Sequence, residues 1–172
     1  MSGDLHVFEI NDEALQALAE NERTDAIQTG LHEGGGSLVN GVSMNFQPSF
    51  RFYDWISNTV GDLEDQTLRR TLRSLLDGLI GETQPDDAYE ELLDGGFVFS
   101  ISPAGVKERL ALSGTIDRDT LTAQVDALHP DAPERYAEDT AVAADVHGPL
   151  DDWHAILTAA ASSSNGLVGE GF

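Results

Sequence analysis

The stretch FVFSISPAGVKERLALSGTI, Phe97 to Ile116, decides how the rest of the chain is read. Phe97 to Ile101 is short, aromatic and β-branched, the composition of a strand. From Arg109 to Ile116 the residues alternate: Leu110, Leu112 and Ile116 fall on one face, Ala111, Ser113 and Thr115 on the other, the period-two pattern of a half-buried strand. Ser102-Pro103-Ala104-Gly105 lies between them with turn chemistry, so an antiparallel hairpin is expected. A hairpin among helical patterns places the chain in the α+β class.

Working outward, the clearest helix runs from about Leu63 to Ile80. Leu68, Leu72, Leu75, Leu76 and Leu79 recur at spacings of three and four, whereas Arg69, Arg70 and Arg73 lie off the stripe. Pro85 stops it, and a short helix from Asp86 to Leu93 follows. Asp117 or Asp119 caps a helix through Leu121, Val125 and Leu128, ended by Pro130. Thr140 to Val146 reads as a third strand, and Leu150 to Ala161 as a helix with Trp153, Ile156 and Leu157 inward. Near the N-terminus Leu5 to Ile10 reads as an edge strand, and Asn11 or Asp12 caps one helix through Leu15, Leu18, Ala19 and Arg23 to Ile27. Leu38 to Phe52 has no clear period, because Gly41 and Pro48 interrupt it. The expectation is a small antiparallel sheet of three or four strands with four or five packed helices, in one domain over residues 1–161. Residues 162–172 carry three serines and three glycines and are expected to be a flexible tail, or one docked on a partner through Leu167, Val168 and Phe172.

Charge is the second strong signal. The 172 residues hold 31 Asp and Glu against 9 Lys and Arg, a net charge of -22, while hydrophobic residues make up 40%, enough for a folded core. Eight of the nine basic residues are arginine, Lys107 being the single lysine, and Asp outnumbers Glu 18 to 13. Four consecutive blocks of 43 residues hold 8, 7, 8 and 8 acids, so the charge is spread evenly, unlike a nucleic-acid mimic or an acidic tail. The screening length falls from about 10 Å at 0.1 M salt to about 3 Å at 1 M, so such a surface suits molar salt and repels itself below it. In composition the chain resembles proteins of extremely halophilic archaea and their viruses, with molar K+ or Na+ as the implied solvent and a cytoplasmic or virion location.

Several chemistries lack their residues. With no cysteine there is neither a disulfide framework nor a thiolate mechanism. Gly34-Gly35-Gly36-Ser37 lacks the lysine of a phosphate loop, and Asp117-Arg118-Asp119 lacks the glycine and glutamate offsets of a calcium loop. Neither a GxSxG elbow nor a GxGxxG fingerprint occurs. The five histidines, His6, His32, His129, His147 and His154, form no close ligand pair, so no metal and no cofactor is expected. The first residues lack a basic leader and no run is long enough to span a membrane. An acidic chain also lacks the cations that hold a phosphate backbone, so neither membrane nor nucleic acid is expected as partner.

What stands out is the stretch from Phe46 to Arg73. Phe46, Phe50, Phe52, Tyr53 and Trp55 fall within ten positions, Arg51 lies among them, and Arg69, Arg70 and Arg73 follow. Packing against the leucine helix accounts for the aromatics as core. As a contact surface the same set is a candidate protein interface, since Trp, Tyr and Arg are enriched at the centres of such contacts. The sequence therefore points to a non-enzymatic structural or assembly protein of a halophilic archaeon or haloarchaeal virus, such as a virion head, neck or tail component, with protein partners or self-association. The alternative is a small cytoplasmic regulatory or ligand-binding module of a halophile. An enzyme would need Asp151 or another carboxylate within hydrogen-bond reach of His154.

Overall fold

The computed structural model describes residues 5–33, 39–46, 60–76, 79, 92, 97–128 and 146–171. Four strands, β1 (Leu5–Ile10), β2 (Val39–Phe46), β3 (Phe97–Ile101) and β4 (Gly166–Gly171), form one sheet in the order β2-β1-β4-β3. Each neighbouring pair is antiparallel. Six α-helices are described: α1 (Asp12–Gln16), α2 (Glu20–Glu33), α3 (Gln66–Leu76), α4 (Pro103–Ser113), α5 (Arg118–Leu128) and α6 (His147–Ser163), with one turn of 3-10 helix at Val60–Asp62. The class is α+β with a small antiparallel sheet, as the sequence indicates, and the described helices outnumber the four or five expected.

The alternation of side chains along the strands divides the interior in two. Val7 of β1 and Leu167 of β4 enter one core, while Ile10 and Val168 enter the other. In β3 the pairing shifts between Phe97 and Phe99, which oppose Glu170 and Gly169, adjacent residues of β4. This bulge adds one residue on β3 and reverses the phase. Phe97 therefore joins the second core although Phe99 and Ile101 belong to the first, and Val98 is left 46% exposed. The first core lies under α3, α4, α5 and α6, and the second under α1 and α2.

Trp153 anchors the first core. Its indole Nε1 donates to the Leu75 carbonyl at 3.1 Å, so the buried N–H is satisfied, and its ring meets Phe99 edge to face at 6.1 Å between centroids. Phe99 in turn lies on Gly169, where a Cβ would come within 2.2 Å of the phenyl ring. Glycine in the middle of a strand is usually unfavourable, and here it makes room for the aromatic face of the neighbouring strand.

Several sequence expectations change. Arg109–Ile116 is not the second strand of a hairpin: Ser102 accepts from the Gly105 N–H at 3.1 Å and Pro103 opens α4, so Ser-Pro is a helix start and not a turn. Val106 is buried, Leu110 partly so and Ser113 buried, a spacing of four and three that fits a helix. β1 is a central strand and not an edge, because β2 and β4 flank it. Residues 166–171, expected as a flexible or partner-docked tail, form the strand between β1 and β3. Leu167 and Val168, each 1% exposed, fill this chain's own cores and offer nothing to a partner.

Other elements follow their local signals. Asn11 caps α1 through the Ala14 N–H at 3.1 Å, although the expected single helix breaks after Gln16 and resumes at Glu20. Leu68, Leu72, Leu75, Leu76 and Leu79 are all buried as the stripe requires. Asp65 caps α3, accepting from Thr67 and Leu68 at 2.8 and 2.9 Å, and its own N–H donates to Gln124 of α5 at 3.1 Å. The helix expected over 86–93 lies outside the described residues except Leu92, which is buried, and so does the strand expected over 140–146 except Val146.

Candidate functional site

Of the proposed interface residues, Phe46 ends β2 opposite Leu5, while Phe50, Arg51, Phe52, Tyr53, Trp55 and Phe172 lie outside the described residues. The three arginines of α3 are described. Arg69 donates to the Gly61 carbonyl at 2.8 Å and ties the 3-10 turn to the helix. Arg70 and Arg73 are exposed, and Arg70 Nε donates to the Gln66 carbonyl one turn back at 3.2 Å. The arginines therefore share one helix, two of them on its outer side, and Leu167 and Val168 are removed from the set by burial.

The sequence missed a polar seam where α6 meets α4 and α5. His147, Asp151 and His154 stand at positions i, i+4 and i+7 of α6, hence on one side of it. Arg118 donates through Nη2 to Asp151 at 2.8 Å and through Nη1 to His147 Nδ1 at 3.2 Å. A guanidinium can only donate, so Nδ1 accepts and the ring hydrogen sits on Nε2. Nε2 then donates to Thr122 Oγ1 at 2.8 Å, and that hydroxyl passes its own hydrogen to the Arg118 carbonyl at 2.9 Å. The four hydrogen bonds of this set are thus mutually consistent in direction.

His154 meets Ser113, not a carboxylate. Its Nδ1 lies 2.6 Å from Ser113 Oγ, which is also 2.7 Å from the Leu110 carbonyl. A carbonyl can only accept, so the hydroxyl hydrogen goes to Leu110 and the imidazole donates to Oγ. That polarity is opposite to a base activating a nucleophile. Asp151, the one carboxylate named as a possible partner of His154, is bonded to Arg118 instead. The spacing His147-Asp151-His154 was visible in the sequence, but its partners Ser113, Arg118 and Thr122 were not, since they come from distant helices. Among the described residues no three His, Asp or Glu side chains converge as a metal site would need, and no described helix is long and apolar enough to cross a membrane.

Carboxylates are exposed on both helical layers: Glu20, Glu22 and Asp25 on α2, Asp62 and Glu64 before α3, Asp119 and Asp126 on α5, Asp151 and Asp152 on α6. Asp117 caps α5, and the Thr120 backbone N–H, then the Thr120 hydroxyl, hold its carboxyl below the ordinary value of 3.8, with the Asp119 N–H adding to the effect. Comparison with protein-family models, with curated proteins and with solved structures finds no match for this chain.

Proposed function

We propose that this chain is a non-enzymatic structural or assembly protein that works in molar salt, in a halophilic archaeon or a virus of one, with a virion head, neck or tail component as the specific form. The observation that carries the reading is the division of labour among its polar residues. Exposed carboxylates lie on helices on both sides of the sheet, while His147, His154 and Arg118, which could have carried chemistry, fasten α6 to α4 and α5. Such a surface resists collapse in concentrated salt, where screening to about 3 Å removes its self-repulsion. Its place is then the cytoplasm or the virion, and its partners are proteins or further copies of itself.

Two measurements test it. Light scattering in about 3 M KCl should find an assembly or a co-purifying partner, and a strictly monomeric particle without one overturns the assembly reading. Thermal melts at about 0.1 and 3 M KCl should show a clearly higher midpoint at the higher salt, and equal midpoints overturn the high-salt reading.

A further inference from the structure

Among the six described helices α3 alone has no Asp or Glu, and it holds Arg69, Arg70 and Arg73 within eleven residues. Its inner side, Leu68, Leu72, Leu75 and Leu76, is buried in the first core. Its outer side consists of exposed Gln66, Thr67, Arg70, Arg73 and Ser74. A chain of net charge -22 thus presents one carboxylate-free, cationic helix face amid helices that carry acids.

We propose that this face docks on the acidic outer surface of a second copy of the chain, a proposal that rests on the assembly reading and names the contact. The complementarity is on the molecule itself, since exposed carboxylates lie on α2, α5 and α6. Two α3 helices do not complement each other, because residues 66–76 carry three arginines and no carboxylate. The contact therefore joins unlike surfaces, the α3 face of one copy on an acidic helix of the next, made reciprocally in a closed dimer or head to tail in a ring or a filament. Arginine suits this contact because its planar fork engages a carboxylate through two hydrogen bonds, where lysine gives a point charge.

Salt dependence follows with an unusual sign. Two copies of charge -22 repel over a range set by the screening length, while an arginine and a carboxylate in contact sit at hydrogen-bond distance. Added salt removes the long-range repulsion before it removes the contact, so self-association rises with KCl instead of falling.

The experiment is light scattering at about 1 and 3 M KCl on the wild type, on Arg70→Glu/Arg73→Glu, and on Lys107→Glu, an exposed charge reversal on α4. The wild type and Lys107→Glu should show at least double the 18.5 kDa of one chain, more so at the higher salt, and the double variant should run at the mass of one chain with unchanged circular dichroism. If the double variant misfolds, Arg70→Gln/Arg73→Gln takes its place and should lose the same mass. Assembly that survives both double variants overturns the α3 contact and leaves the assembly reading standing. A wild type that is monomeric at both salts overturns the α3 contact, and one that also brings no partner through purification overturns the two together. A single-stranded oligonucleotide probe that binds the wild type but not the double variant at the same salt overturns the second-copy contact in favour of nucleic acid.

Discussion

Among the described residues the two faces of the sheet are packed on different scales. Among the described residues twenty-one buried side chains make up the core under α3 to α6, whereas six make up the core under α1 and α2. On the larger side polar seams reinforce the packing, with Trp153 bonded to Leu75, His154 to Ser113 and Arg118 to Asp151. On the smaller side Ile27 is the one buried residue among those of α2 whose burial is described, and α2 stands close to β2 at Gly30, where a Cβ would come within 3.0 Å of Val39. Local stability follows buried apolar area. The large core should therefore set the global stability of the sheet, and the thin layer should open first.

The strongest way to break that contrast is to remove Trp153. Trp153→Ala leaves a cavity where the indole met Phe99 and frees the Leu75 carbonyl, and should cost about 3–5 kcal/mol. Ile27→Ala on the other face should lie near the lower end of the usual range, about 2 kcal/mol, because the surrounding layer relaxes more easily. Urea titrations at high salt measure both, and an equal or larger loss at Ile27 refutes the contrast. Gly169→Ala comes next, since the new methyl collides with the Phe99 ring and should destabilise by about 1–3 kcal/mol. A smaller partner relieves the collision, so Phe99→Leu/Gly169→Ala should lose less than the two single changes summed, as a double-mutant cycle would reveal.

Smaller effects sharpen the picture at helix ends. Ser164 holds a left-handed conformation at φ 54° while the Asn165 and Ser164 N–H groups bond back to Ala160 and Ala161, an ending that favours glycine. Ser164→Gly should raise stability by about 1 kcal/mol, read as a higher midpoint in urea. At the start of α5 the depressed Asp117 carboxyl contributes stability that is present above its ordinary value of 3.8 and is lost as pH falls through the lower folded value. Asp117→Asn keeps an oxygen to cap the helix but has no carboxyl to titrate, so its acid melting curve should lose that part of the pH dependence.

Where sequence reading succeeded, the information was local. The leucines of α3, the Asn11 and Asp117 caps and the inner side of α6 depend on residues within a few positions of one another. Where it failed, the deciding partner was distant or the signal was shared by two structures. Leu110, Leu112 and Ile116 alternate as a strand would, and only the Ser102 cap with Pro103 tilts the segment to a helix. Gly166, Gly169 and Gly171 resemble a linker until Phe99 is seen against Gly169. The arginines at 69, 70 and 73 were legible as a basic island, but the separation of Arg69, turned onto Gly61, from Arg70 and Arg73 on the outside required the fold.

The central place of β4 also sets an order in time. Glu9 beside β4 and Asn165, which donates to it at 3.0 Å, are 156 residues apart. At about 5–20 residues per second on the ribosome, β1 waits roughly 8–30 s for its central neighbour to be made. During that interval the unpaired backbone N–H and C=O groups along the β4 side of β1 are open to any strand within reach, and contacts this remote in sequence form slowly even once they are available. Newborn chains are thus most vulnerable to mispairing at β1, and a factor that shields residues 5–10 until β4 emerges would raise the yield of folded protein.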